Sequence, residues 1–203
     1  GIDADLPSSR HDATRMSLHD DVKQMSGDED DEDSLRRQHV AHLRDEGRTF
    51  YINGAYRDSV LCYTEAISLR TSDFHDSTND AILAALYGNR AAALLMAGAY
   101  EGASADCERA LLCIDPSNAN DYIESGPAFQ IKILCRMAQA LLKAGSVCDA
   151  EKAFNDSIQS AREALVMLRQ QSQSVGVEVK RGVEKILNQS ITDATTGLSD
   201  VKK

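Results

Sequence analysis

The chain has 203 residues and a formal net charge of −10 at pH 7, because 32 Asp and Glu residues outnumber 22 Lys and Arg residues. Such an acidic chain lacks the basic surface that nucleic acids and anionic membranes require, so we expect neither as a partner, and no apolar run approaches the roughly 18 residues that span a bilayer. Only 5% of the residues are aromatic, Trp is absent and Pro occurs three times, a composition that favours an all-helical domain.

The N-terminal segment, residues 1–33, is polar and contains few large hydrophobic residues. It ends in the acidic run GDEDDED at positions 27–33. This composition predicts a disordered, solvated segment. Phosphorylation near Ser26, and docking of the acidic run onto a basic groove of the same chain, are alternatives for it.

From position 34 onward, apolar residues recur at helical spacing in six segments that form three pairs. A glycine joins the members of each pair, and the polar loops TSDFHDSTND and SNANDYIESGP separate the pairs. We therefore predict three helix hairpins, over about 36–70, 81–116 and 128–170. A final amphipathic helix is predicted over about 174–191, followed by a frayed tail at 192–203. The apolar stripe of this last helix consists of Val175, Val179, Val183, Ile186 and Leu187.

The three hairpins repeat one pattern of residues around the joining glycine. A small residue lies seven positions before the glycine, and others lie five and twelve positions after it, with Tyr, Cys or Phe at nine. Small residues allow the two helices of a hairpin to cross closely, and stacked hairpins share a core that no single hairpin can form. In hairpin order, the joining glycines are Gly54, Gly98 and Gly145, and the residues seven positions before them are Gly47, Ala91 and Ala138. The residues five positions after the glycines are Ser59, Ala103 and Ala150, and those nine positions after are Tyr63, Cys107 and Phe154. The residues twelve positions after are Ala66, Ala110 and Ser157.

This pattern resembles the tetratricopeptide repeat (TPR) family over roughly residues 36–170. The resemblance implies an all-α fold in which three tandem TPR hairpins form a right-handed superhelical stack with a C-terminal capping helix, a domain that would span 34–191. The family's period is about 34 residues, whereas Gly47 to Ala91 is 44 residues and Ala91 to Ala138 is 47, since the polar loops are inserted between repeats. The chain also lacks the family's Trp.

Within the family, the chain looks like the carboxylate-clamp type found in heat-shock chaperone cofactors. In that type the groove holds a Lys or Arg and an Asn on the first helix of repeat one, an Asn in repeat two, and a Lys and an Arg in repeat three. Arg44 matches the first position, Asn89 the third, Lys132 the fourth and Arg136 the fifth. Arg48 falls where the family usually has Asn, which is a departure from the pattern.

The resemblance implies a protein-interaction module, a co-chaperone adaptor that binds the C-terminal tail of a heat-shock chaperone of the seventy- or ninety-kilodalton class. Such a tail ends in a motif of the Glu-Glu-Val-Asp kind, and its last residue presents two carboxylates close together. Cations and an amide that converge on these carboxylates would form charge-assisted hydrogen bonds. Ala92 and Met96, three and seven residues after Asn89, would form an apolar floor for the valine.

Two other functions remain alternatives. The groove could belong to a generic TPR scaffold that binds an internal peptide segment or a second copy of the chain, or the chain could be the regulatory part of a larger enzyme. No GxxxxGK[ST], HExxH or GxSxG motif is present, so we expect no enzymatic activity from this chain itself. The sequence predicts no oligomeric state.

The cysteines indicate a reducing compartment. They are odd in number, form no CxxC pair and have no histidine at metal-ligand spacing, which is typical of reduced, buried thiols in a cytosolic protein. The N-terminus shows no apolar secretory signal. We therefore expect a cytoplasmic protein without a metal site or a cofactor. The cysteines are Cys62, Cys107, Cys113, Cys135 and Cys148.

Overall fold

The computed structural model describes residues 12–71, 80–114, 127–170 and 177–202. Within these ranges the chain forms seven α-helices and no strand, so the predicted all-α class is confirmed. No helix in this part of the chain is both long enough and apolar enough to cross a membrane. The helices are α1 (Asp12–Ile52), α2 (Tyr56–Thr71), α3 (Ala81–Ala97), α4 (Tyr100–Leu112), α5 (Pro127–Lys143), α6 (Val147–Gln170) and α7 (Val177–Val201).

The helices pack in three consecutive hairpins, α1 with α2, α3 with α4 and α5 with α6. Each hairpin also packs on the next, through α2 against α3 and α4 against α5, and α7 covers the last hairpin by contacting α6 and α5. This stack of three hairpins with a C-terminal helix is the predicted architecture.

The hairpin turns end the first helix of each pair in the same way. Gly54, Gly98 and Gly145 have φ of 79°, 83° and 88°, a left-handed conformation that side chains disfavour. At the second turn the Gly98 N–H donates to the Leu95 carbonyl, and the Ala99 N–H donates to the Leu94 carbonyl. These two bonds form a Schellman motif, which satisfies carbonyls at the helix end.

The small residues form a buried seam inside each hairpin. In the first hairpin the Ser59 hydroxyl donates to the Gly47 carbonyl at 2.8 Å. A Cβ at Gly47 would lie 3.1 Å from the Tyr63 ring and 3.2 Å from Cys62 Cβ, so a larger residue would force the helices apart. All twelve residues of the repeated pattern are buried, as the sequence predicts: Gly47, Ala91, Ala138, Ser59, Ala103, Ala150, Tyr63, Cys107, Phe154, Ala66, Ala110 and Ser157.

The N-terminal segment differs from the expectation. Helix α1 begins at Asp12, so residues 12–33, which we expected to be disordered, are helical, while residues 1–11 lie outside the described ranges. Ion pairs one turn apart favour this helix: Arg36 lies 3.2 Å from Glu32, and Arg37 lies 3.4 Å from Asp33. The acidic run at positions 27–33 is therefore part of helix α1.

The C-terminal segment also differs from the expectation, because most of 192–203 continues helix α7 instead of fraying. Ala194 is fully buried against Phe154 of α6, and a Cβ added at Gly197 would collide with the same ring. The contact surface of this half of α7 therefore consists partly of small residues, which the apolar stripe did not reveal. Of the predicted stripe, Leu187 is buried, and the other four side chains lie outside the described ones.

A buried ion network links the first two hairpins. Arg90 of α3 donates to both carboxylate oxygens of Asp106 on α4, at 2.6 and 2.8 Å, and to the Thr64 hydroxyl of α2 at 3.0 Å. Arg109 adds a third bond to Asp106 at 3.0 Å, and both guanidinium groups lie within 6 Å of the Tyr87 ring centre, at 5.5 and 5.9 Å. The hydrogen bond that Arg90 donates to Asp106 is the main reason that the pKa of Arg90 is raised.

Asp106→Ala is expected to lower the free energy of unfolding by about 3 kcal/mol, because it leaves the Arg90 guanidinium half-buried without its counter-ion. Chemical denaturation followed by circular dichroism measures this change. Glu108→Ala is the matched control, since Glu108 is an exposed acid on the same helix, and it should change stability by less than about 0.5 kcal/mol. Equal effects of the two substitutions would contradict a structural role for the network.

Gly98→Ala should destabilise the protein by about 1–2 kcal/mol, because an alanine must adopt the left-handed conformation there. Gly182→Ala gives the opposite sign, since Gly182 lies inside α7 with nothing within 4 Å of an added Cβ, and alanine favours a helix by about 0.5–1 kcal/mol. The comparison of the two midpoints of chemical unfolding checks the prediction, which fails if both substitutions shift the midpoint in the same direction.

Candidate functional site

The predicted site residues lie on the first helices of the three hairpins, α1, α3 and α5. Their positions follow from the seam residue of each helix. Asn89 and Arg136 each lie two positions before a seam alanine, so they occupy equivalent places in the second and third hairpins. Arg44 and Arg48 lie on either side of the seam glycine Gly47, and Lys132 lies one turn before Arg136. The repeated packing therefore aligns these five residues along neighbouring helices.

Arg136 of α5 forms a hydrogen bond to α3. It is partly buried, and its Nη1 donates to the Gly88 carbonyl at 2.7 Å. Gly88 directly precedes Asn89, so this bond brings the guanidinium group of Arg136 next to the backbone of Asn89. Two of the five predicted residues are thus brought together across a helix interface.

Gly88 is a site-forming residue that the sequence did not reveal. A Cβ there would lie 2.7 Å from Ile133 Cδ1 and 3.2 Å from Phe129 Cζ, both on α5. The missing side chain therefore permits the close approach of α5 that the Arg136 bond needs. The available signal was a glycine inside a helical segment, where it costs stability relative to alanine and often marks a close contact.

The positive charges of Lys132 and Arg136 repel each other. The positive charge of Arg136 is the main cause of a lowered pKa at Lys132, with burial contributing less, and burial is the main cause of a lowered pKa at Arg136. No described residue places a carboxylate within 4 Å of Lys132, Arg136 or Arg48. These three cations therefore form a local positive region on an acidic protein.

Arg136 is exceptional among the partly buried arginines of the described ranges, because it has a carbonyl partner and no carboxylate partner. The other four, Arg36, Arg44, Arg70 and Arg90, each lie within 4 Å of a carboxylate. A partly desolvated cation without a counter-ion is unfavourable unless something compensates it. Arg136 thus differs from the other four arginines in that its charge is not matched by a described carboxylate.

The cations of α1 and α5 act on the pKa of one phenol, that of Tyr63. Burial raises the pKa of Tyr63, and the positive charges of Arg48, Arg136 and Arg44 act in the opposite direction. Against the lowering by burial, the Tyr51 phenol acts to raise the pKa of Arg136. Arg44, whose side chain is 41% exposed, lies 3.4 Å from Asp45, so its charge is partly compensated within its own helix.

The remaining predicted residues differ in what they present to solvent. The Asn89 side chain is partly buried and has no hydrogen bond to any described residue, so its amide is free to bind a ligand. Met96 is 51% exposed, whereas Ala92 is only 7% exposed. Of the predicted apolar floor, Met96 therefore offers most of the accessible surface.

The cysteines form no disulfide and no metal-binding group in the described ranges. None is paired, and no group of three or more His, Cys, Asp or Glu side chains in this part of the chain is placed to hold a metal ion. Burial raises the pKa of Cys107 to about 12, which keeps it a neutral thiol. Cys148 is exposed, so the expectation of buried thiols is wrong for this residue.

Comparisons with known proteins give structural neighbours. No protein-family model matches the chain, and no curated protein matches it. The second TPR domain of human RPAP3, solved in complex with the HSP70 peptide SGPTIEEVD, is 24% identical with a TM-score of 0.53, covering 83% of this chain and 98% of that chain. A TPR-like protein of Chlorobium tepidum is 13% identical with a TM-score of 0.50, covering 77% and 94%. These likenesses concern the fold.

Gly88→Ala is expected to lower the free energy of unfolding by about 1–2 kcal/mol, because the fully buried Ile133 leaves no room for an extra methyl group. Denaturant unfolding followed by circular dichroism measures the effect. Gly102→Ala in α4 is the matched control, since its Cβ would meet only Leu94 methyl groups at 3.6 and 3.8 Å. A Gly88→Ala protein as stable as the control would show that the close approach is not constrained.

Proposed function

Because this chain adopts the tetratricopeptide repeat fold, we propose that it is a protein-interaction module that binds the acidic C-terminal tail of another protein. The ligand class is a tail of the Glu-Glu-Val-Asp kind, carried by heat-shock chaperones of the seventy- or ninety-kilodalton class. The observation that carries the proposal is Arg136, a partly buried guanidinium group that has no carboxylate partner among the described residues.

Electrostatics supports an anionic ligand. The chain has a net charge of −10, yet Arg48, Lys132 and Arg136 have no acidic partner within the described ranges. Opposite local charge concentrates an oppositely charged ligand at the groove and steers its approach. A carboxylate that binds Arg136 would also compensate a cation whose burial is otherwise unfavourable.

The chemistry of a C-terminal aspartate fits the groups available. Its side chain and its chain end supply two carboxylates, which Lys132 and Arg136 would bind as charged donors and Asn89 as a neutral amide donor. Met96 provides accessible apolar surface two turns after Asn89 on the same face of α3, where an aliphatic residue next to the aspartate would pack. Ala92 contributes less because it is almost fully buried.

The structural neighbours add context to the proposal. The second TPR domain of human RPAP3 is solved with an HSP70 peptide that ends in EEVD. At 24% identity this likeness supports the fold alone, so the ligand proposed for this chain depends on its own cations and amide. A groove that instead binds an internal segment or a second copy of the chain would not require a free carboxyl terminus.

The test is a titration of a fluorescently labelled peptide that ends in Glu-Glu-Val-Asp, followed by fluorescence anisotropy. We expect binding at sub-millimolar concentration, at least about tenfold weaker binding of the C-terminal amide, and weaker binding as salt is added. Lys132→Ala and Arg136→Ala should each reduce affinity by about tenfold or more.

Lys152→Ala is the matched control, since it removes one exposed lysine on α6, outside the three site helices. It should leave affinity within about twofold of the original. The proposal fails if the free-acid peptide does not bind, if the amide binds equally well, or if Lys152→Ala weakens binding as much as Lys132→Ala does.

A further inference from the structure

We propose that Arg48 and the Tyr63 hydroxyl form a second anion subsite beside the groups that would hold the ligand's C-terminus. This subsite takes a carboxylate or phosphate group on a residue upstream of the terminal one. The inference rests on the proposed function, because the ligand is the same acidic tail, but it concerns a different part of that ligand.

The first step is the position of the Tyr63 ring. Tyr63 is only 2% exposed, and a Cβ at Gly47 would lie 3.1 Å from its Cε1 and Cζ atoms. The hydroxyl is attached to Cζ, so this polar end of the ring lies beside Gly47 on α1. Arg44 and Arg48 lie three positions before and one position after that glycine, which places the hydroxyl at the level of both arginines.

The Tyr63 hydroxyl has no hydrogen-bond partner among the described residues. No described residue forms a hydrogen bond with it. Every fully buried polar side-chain atom in the described ranges does have a hydrogen-bond partner, so this hydroxyl retains contact with solvent. A buried tyrosine usually pairs its hydroxyl group, and here that donor remains available to a ligand.

The third step is a comparison between the hairpins. At the position of Tyr63 the second and third hairpins have Cys107 and Phe154, which offer no hydroxyl. At the position of Arg48 they have Ala92 and Gln139, which offer no charge. The guanidinium group and the hydroxyl therefore occur together in the first hairpin and in neither of the others, although the three hairpins pack in the same way.

The unpaired cations near the site outnumber the carboxylates of a terminal aspartate. Arg48, Lys132 and Arg136 are three cations without an acidic partner in the described ranges. A terminal aspartate supplies two carboxylates, so one cation remains without a counter-ion. Arg48 is that cation, since Lys132 and Arg136 lie together on α5 and Arg48 is an exposed residue of α1.

An additional anionic group on the ligand completes the pairing. The fork of a guanidinium group fits both carboxylate and phosphate oxygens in a bidentate arrangement, and a tyrosine hydroxyl donates a further hydrogen bond to either. The shared chemistry is thus an anionic oxygen group, and its source is a glutamate or aspartate of the ligand or a phosphorylated serine or threonine.

The experiment uses matched peptides that all end in Val-Asp with a free carboxyl group. One upstream position at a time, from the third to the fifth residue from the C-terminus, carries Gln, Glu, Ser or phosphoserine. Fluorescence anisotropy gives the affinity of each peptide for the unmodified chain, for Arg48→Asn and for Tyr63→Phe. Tyr100→Phe is the control for loss of a tyrosine hydroxyl outside the groove, and circular dichroism checks that each variant is folded.

At one upstream position we expect the anionic residue to raise affinity about tenfold over its neutral counterpart. Arg48→Asn should abolish this gain, Tyr63→Phe should reduce it by about threefold, and Tyr100→Phe should preserve it. A larger gain for phosphoserine than for Glu identifies a phosphorylated ligand, and the reverse identifies an acidic one; both support the subsite.

The subsite is overturned if the gain is equal in the unmodified chain and in Arg48→Asn, or if no upstream anion raises affinity. The proposed function then still stands, provided that the C-terminal amide binds more weakly than the free acid. If the amide binds equally well, the proposed function itself fails. A loss of the gain in Arg48→Asn with no change in Tyr63→Phe would overturn the role of the hydroxyl alone.

Discussion

The close crossing of paired helices at a small residue is the constraint on which the rest of this structure depends. Gly47, Ala91 and Ala138 leave at most a methyl group between the two helices of their hairpins, so the rotation of each first helix about its axis is fixed. Residues one, two, three or six positions from that point then face directions set by the helical period. The alignment of Asn89 with Arg136 on neighbouring helices is therefore a consequence of core packing.

A second close approach, of α5 to α3 at Gly88, positions a cation of the candidate site. Gly88 lets α5 approach α3, and Arg136 uses that proximity to donate to a backbone carbonyl. The bond restricts the long side chain before any ligand arrives, which reduces the conformational entropy that binding must otherwise remove. It does not neutralise the charge. The same residue is thus positioned by the fold and still electrostatically unsatisfied, in contrast to Arg90, whose charge is matched by Asp106.

The sequence predicts those parts of the fold in which one residue type is physically required. A turn with positive φ requires glycine, and a close helix crossing requires a small residue, so the three hairpins and their seams were predictable. The N-terminal half of α1 was not, because an acidic composition typical of disorder also supplies ion pairs at helical spacing. The end of α7 was missed because its contact face includes Ala194 and Gly197. The roles of Gly88 and Tyr63 depend on distances between hairpins, which a single sequence does not contain.

The departure from the family pattern at Arg48 gains a physical meaning from its surroundings. An arginine in place of an asparagine on a solvated helix would only add charge. Here the substituted position adjoins the seam glycine, and the unpaired Tyr63 hydroxyl lies at the same level of the helix. In the free protein both the Tyr63 hydroxyl and the exposed Arg48 guanidinium group have only solvent, and no described residue, as a partner, so both remain available to a ligand. Their coincidence in the first hairpin alone is the feature on which the proposed anion subsite rests.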